Sequence, residues 1–234
     1  MVYFNKGYID FFRDLSNNNT QEWFDANRKR YEESVREPFK SFVESLLPNV
    51  RLIDPEIRME VKDALFRINR DLRFHQDEPP YRTHMAAGFS KGGRKSQYAG
   101  YFIHFGADNM FIGGGVPFLE KESLKKIRIE IAFREFEFKK IAERKRFTEL
   151  FGNILGENTG HIPKEFRDIY QKQPLIGNKQ FYYGAMYPTA KHLFRKDLER
   201  FVLGHFSEGQ LLNQFLKTAL GTISSKGEMM AITG

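Results

Sequence analysis

YAGYFIHFGADNMFIGGG, residues 98 to 115, decides the fold class of this chain. Tyr98 to Phe105 and Met110 to Ile112 are rich in aromatic and branched residues with no helical spacing, so both predict strands. Gly106, Ala107, Asp108 and Asn109 lie between them and supply turn formers, which predicts a hairpin and therefore antiparallel pairing. Gly113, Gly114 and Gly115 follow directly. Glycine tolerates positive φ and close backbone approach, so this run either brings N–H groups to a ligand or makes a bulged strand end. His104 inside the apolar run reads first as a satisfied strand residue and only second as a functional one.

Outward from the hairpin the period changes. Toward the amino end, Tyr8, Phe11, Phe12 and Leu15 recur at helical spacing until Ser16 to Asn19 interrupt them. Asn19 followed by Glu22 has capping-box form, which predicts a second helix starting near Thr20 and running through Trp23, Phe24, Tyr31 and Val35. Trp23 reads as a core anchor. Pro38 suits the first turn of a further helix, whose apolar stripe is Phe39, Phe42, Val43, Leu46 and Leu47. From Arg58 to Phe74 apolar and charged residues alternate, which predicts extended chain. Toward the carboxyl end, Leu124, Ile127, Ile131 and Phe136 predict one or two helices, and Gln180 to Ala185 a strand. Ser207 with Gln210 has capping-box form and predicts a last helix burying Leu211, Leu212, Phe215, Leu216 and Leu220. The expected class is α+β: a central, mainly antiparallel sheet with N-terminal and C-terminal helices packed on it, in a single domain over 1–234.

Composition supports a packed chain. Of 234 residues 41% are hydrophobic and 15% aromatic, with 24 Phe, enough apolar surface to offset the entropy of ordering. The formal charge of +7 favours an anionic partner without naming one. With no cysteine there is no disulfide, thiolate metal site or cysteine nucleophile, which is compatible with a reducing compartment. Lys6, Asp10, Arg13 and Asp14 occupy the stretch that a signal peptide keeps apolar, and no segment reads as a membrane span, so the expected location is cytoplasmic.

The densest chemistry is KDALFRINRDLRFHQDEPPYRTH, residues 62 to 84. As a helix it would spread Arg67, Arg70 and Arg73 around about a third of the circumference. As a strand it would place Arg67, Asn69, Asp71 and Arg73 on one face, and Arg70 beside Phe66, Ile68, Leu72 and Phe74 on the other. An inward Arg70 requires a carboxylate or a ligand, because a buried unpaired charge loses its hydration. Asp63, Asp71 and Asp77 are the acids nearest in sequence. Planar guanidinium groups suit phosphate and carboxylate oxygens, and Tyr81, Arg82 and His84 add donors or a proton carrier. Two readings compete: an anion site, and an internal arginine–aspartate network that binds nothing.

The same run resembles the hallmark of a widespread bacterial family, domain of unknown function 2461, whose pattern is R-x-x-R-D-x-R-F-x-x-D/N-K-x-x-Y. It is carried here by Arg67, Arg70, Asp71, Arg73, Phe74, Asp77 and Tyr81. Glu78 stands where the family pattern has Lys, reversing the charge at that place. NNNTQEWFDANRKRYEESVREPF, YFIHFGADNMFIGGG and NKQFYYG also resemble family segments, so the resemblance covers most of the chain. It implies membership and no activity.

Other templates fail. There is no H-E-x-x-H or G-x-S-x-G motif, and the six histidines show no metal-ligand spacing, so no metal site is expected. GFSKGGRKS, from Gly88, has Arg94 where a phosphate-binding loop needs Lys, and a strand where it needs a helix. The leading expectation is binding or processing of a small phosphate- or carboxylate-bearing ligand at Arg67, Arg70, Arg73, Tyr81 and Arg82, with Lys179 and Tyr182 completing the pocket. A catalytic version would use Asp71 or Asp77 as base and His84 as acid. The sequence identifies no cofactor. The alternative is a noncatalytic nucleic-acid or protein-interaction module using the cations of residues 121 to 146, where interleaved glutamates also fit a solvated helix with i,i+4 pairs.

Overall fold

A computed structural model describes residues 1–70, 78–94, 96–158, 160 and 162–221. The helices are α1 Lys6–Asn17, α2 Gln21–Ala26, α3 Arg28–Tyr31, α4 Glu37–Ile53, α5 Val61–Ala64, α6 Lys121–Phe133, α7 Glu135–Ala142, α8 Lys145–Phe151, α9 Arg167–Lys172, α10 Thr189–His192 and α11 Leu198–Gly221. The strands are β1 His84–Phe89, β2 Gly100–Gly106, β3 Asn109–Val116 and β4 Phe181–Pro188, joined in the order β1-β2-β3-β4 as an antiparallel sheet. The class is α+β. Among the described residues no helix is long and apolar enough to cross a membrane.

The chain divides into two compact units: residues 1–96, 100–114 and 184–208 form the first, and residues 97–99, 115–183 and 209 onward the second. The unit boundaries fall within β3, β4 and α11.

In the first unit, strand alternation fixes which residues meet the helices. Met85, Ala87 and Phe89 of β1, Tyr101, Ile103 and Phe105 of β2, and Met110 and Ile112 of β3 are all buried. Phe105 is fully buried with its ring 5.6 Å from both Phe39 and Phe42 and 6.0 Å from Phe4. The Tyr8 hydroxyl donates to the Phe105 carbonyl at 2.9 Å, which ties α1 to β2. From α11, Phe206 stacks on Tyr101 at 4.7 Å and meets Phe89 at 5.8 Å. N-terminal and C-terminal helices therefore bury one face of this sheet. The hairpin turn is pinned by Thr189, whose N–H donates to the Asp108 carbonyl and whose hydroxyl donates to that of Gly106.

Local chemistry explains the departures from sequence expectation. Thr20, not Asn19, caps α2, accepting from the Trp23 N–H; Asn19 instead exchanges two hydrogen bonds with the Tyr81 backbone. Adjacent Asn and Thr are both competent caps, and a tertiary contact decides between them. The helical path from Gln21 to Ile53 is interrupted at Asn27 and passes through a π turn at Glu32–Arg36 before Pro38 enters the first turn of α4. Residues 58–70 are not one strand: α5 intervenes, after which Leu65 bridges Ala87 and Asn69 bridges Tyr81. Ser207 opens no helix, because α11 already runs through it and the helical period begins upstream at Leu198.

The second unit is mostly helical. Phe138 packs against Phe181 and Phe215, while Phe147 and Phe151 pack on Tyr183. The glycine run belongs here through Gly115, at φ 102°, where an added Cβ would fall 2.3 Å from the Phe181 carbonyl oxygen. Gly115 therefore permits close approach of β3 to β4, the structural alternative for that run.

Candidate functional site

The site lies on the face of the first unit's sheet opposite Phe105. Residues at even positions of β1 and β2 share this face, because paired antiparallel residues point the same way: His84 lies opposite Gly106, and Ala86 opposite His104. Small Gly106 and Ala86 leave room for the diagonal neighbours to meet, and the His84 and His104 rings stand 4.7 Å apart. Phe102 and Phe111 continue the floor, with the His104 ring 6.0 Å from Phe102 and 5.5 Å from Phe111. Phe66 adds a third ring, 5.9 Å from Phe102. Phe111 needs its neighbour on β4 to be glycine, since a Cβ on Gly184 would fall 2.1 Å from the ring. His84, His104, Phe66, Phe102 and Phe111 are half-buried.

Arginines border these rings. The segment after α5 pairs with the approach to β1: the Arg70 N–H donates to the Pro80 carbonyl, and the Arg82 N–H to the Ile68 carbonyl, each at 2.8 Å. This carries Arg70 and Arg82 close enough to His84 for both charges to act on it. Burial first, then His104, Arg82 and Arg70, lower the His84 pKa from 6.5 to about 4. Burial likewise lowers that of His104. At neutral pH His84 is thus a neutral imidazole, which accepts a proton more readily than it supplies one.

The arginines differ in their partners. Arg70 forms an ion pair with Glu78, which compensates a largely buried guanidinium. Among the described residues its Nε remains buried without a hydrogen-bond partner. Arg82 also has a buried, unpartnered Nε, and it has no ion pair among the described residues. Such an atom has lost water and gained nothing in exchange, at a typical cost of about 1–3 kcal/mol. Arg94 is anchored, donating to the Asp63 and Lys62 carbonyls and covering the Phe66 ring at 5.8 Å. Those bonds give GFSKGGRKS a structural account.

The remaining candidates have different surroundings. Arg67 is exposed. Tyr81 is buried and stacks on Phe24 at 4.1 Å, with Asn19 holding its backbone. Asp71, Arg73 and Asp77 lie outside the described residues. Lys179 and Tyr182 belong to the second unit, where Lys179 pairs with Glu157 at 2.8 Å and Tyr182 bridges Leu155. Along residues 121 to 146, Arg134 pairs with Glu130 and Glu137. Among the described residues, no group of three or more His, Asp or Glu is placed to hold a metal ion. Sequence spacing did not single out Phe102, His104 and Phe111 as one surface, although the alternation of Tyr101 to Phe105 carried the signal for the first two.

No curated protein matches the chain. The chain belongs to the family described as conserved hypothetical protein (DUF2461), whose model matches residues 7–215.

Proposed function

We propose that this family member binds a small phosphate- or carboxylate-bearing ligand on the His84–His104 face of the first unit, with Arg82 as the principal charge. The observation that carries this reading is the Arg82 guanidinium, close enough to act on the neutral His84 imidazole, with its Nε desolvated and no ion pair among the described residues. An anion supplies what that group lacks, since guanidinium N–H bonds to phosphate or carboxylate oxygens are strong and directional. The Arg70–Glu78 pair sets position and limits net positive charge, which favours a small anion over a polyanion. Phe66, Phe102 and Phe111 offer ring faces to a planar organic portion of the ligand.

His84 and His104 complete the recognition. A neutral imidazole donates one N–H to an anion, and an anion beside His84 opposes the Arg82 and Arg70 charges that hold its pKa down. Binding therefore favours a proton on His84, and that contribution to affinity grows as pH falls toward the free-protein pKa of about 4. The test is isothermal titration of the full chain with inorganic phosphate and with phenyl phosphate. Saturable binding, tighter for phenyl phosphate and weakened by about tenfold or more in Arg82→Ala, supports this function. Equal binding by wild type and Arg82→Ala refutes it.

A further inference from the structure

A buried arginine belongs to the second unit. Arg128, on α6, is only 8% exposed. Its Nε donates to the Ile176 carbonyl at 3.0 Å and its Nη2 to the Gly177 carbonyl at 3.5 Å, both from the 3₁₀ turn Pro174–Gly177. These carbonyls satisfy two of the five donors and carry no formal charge. Among the described residues no carboxylate is paired with Arg128. A buried guanidinium with only carbonyl acceptors retains most of its desolvation cost, and burial lowers its pKa from the usual value.

The side chain also lines a cleft of about 470 Å³, together with Leu119, Lys121, Leu124, Pro163, Lys179 and Gln180. Volumes of roughly 300–1,000 Å³ suit small organic ligands. The lining combines apolar walls from Leu119, Leu124 and Pro163 with the buried charge of Arg128 and the exposed ammonium of Lys121.

We infer that this cleft of the second unit is an independent binding site for a small organic carboxylate, held through its carboxylate by Arg128 with its apolar body against Leu119, Leu124 and Pro163. The carbonyls leave Nη1 and the second N–H of Nη2 unused, and a carboxylate accepts one N–H from each of these two nitrogens side by side. The apolar walls favour an organic acid over inorganic phosphate, whose hydration they cannot replace. Lys121 adds attraction at an exposed position without a buried cost.

The probes are sodium benzoate and inorganic phosphate, titrated into the full chain and followed by ligand-observed NMR. In Arg82→Ala, where the first unit's site is disabled, benzoate is expected still to saturate at millimolar concentration, with affinity falling about tenfold when Arg128→Met is added. Should Arg128→Met fail to fold, Lys121→Glu at its exposed position preserves packing and is expected to weaken benzoate by about threefold to tenfold. Any of three results overturns the inference: no benzoate saturation, benzoate binding that survives both Arg128→Met and Lys121→Glu, or phosphate binding at Arg128 in place of benzoate. Loss of benzoate binding in Arg82→Ala alone assigns the ligand to the first unit and likewise overturns it.

Discussion

The two faces of β2 are built from alternate residues of one strand, yet they serve different ends. Tyr101, Ile103 and Phe105 are almost fully buried, and Phe105 meets four aromatic or helical partners in the hydrophobic core. Phe102 and His104, on the alternate positions, are half-buried, and His104 meets a second histidine on which two arginine charges act. The first face minimises exposed apolar area; the second holds polar atoms out of water without fully pairing them. A fold stabilised on one side can tolerate an unsatisfied guanidinium on the other, and unsatisfied buried donors are what an anionic ligand would recognise.

The largest expected contrast lies along that strand. Phe105→Ala should destabilise the protein by about 3–5 kcal/mol, because it empties a well-packed core position. Phe102→Ala should cost under about 2 kcal/mol, since part of its ring already meets solvent. Urea unfolding of both variants measures the difference, and equal losses would break the distinction between the faces.

Next in size is Gly184→Ala, expected to destabilise by about 1–3 kcal/mol by driving the Phe111 ring from its place over β4. The same variant should weaken phenyl phosphate binding, so a loss of stability with unchanged affinity would remove Phe111 from the site.

Acid provides a comparable effect. The folded His84 pKa, about 4, lies below the ordinary 6.5, so folding favours the neutral ring. That contribution is complete above pH 6.5 and is lost as pH falls through about 4, on the order of 2 kcal/mol. Unfolding midpoints at pH 7, 5.5 and 4.5 should fall less steeply in His84→Phe than in wild type. A parallel fall in both would assign the acid sensitivity elsewhere.

The smallest expected effect has the opposite sign. Arg82→Met should raise stability by about 1 kcal/mol, because it replaces a desolvated, unpartnered donor with an apolar chain. A destabilised Arg82→Met would show that the guanidinium supports the fold.

Much of the sheet was legible beforehand. The turn formers Gly106 to Asn109 marked the hairpin, and the helical spacing of Tyr8, Phe11, Phe12 and Leu15 marked the buried side of α1. Where two local signals competed, tertiary contacts decided. Asn19 was drawn to the Tyr81 backbone, leaving Thr20 to cap, and Ser207 was absorbed into a helix whose apolar period began earlier. The site was legible only as a density of arginines. Spacing within residues 62 to 84 could not show that Arg82 and Arg70 come close to His84, because that depends on the bridge of Asn69 to Tyr81. Nor could it show that His84 meets His104, which depends on the register of β1 against β2.

The most direct test follows the His84 ring proton resonance by NMR against pH, with and without saturating phenyl phosphate. Free protein should titrate with a pKa near 4, and bound protein should titrate higher by about one unit or more as the anion offsets Arg82 and Arg70. An identical His84 titration in the two samples, with ligand demonstrably bound, would place the anion elsewhere and contradict the proposed site.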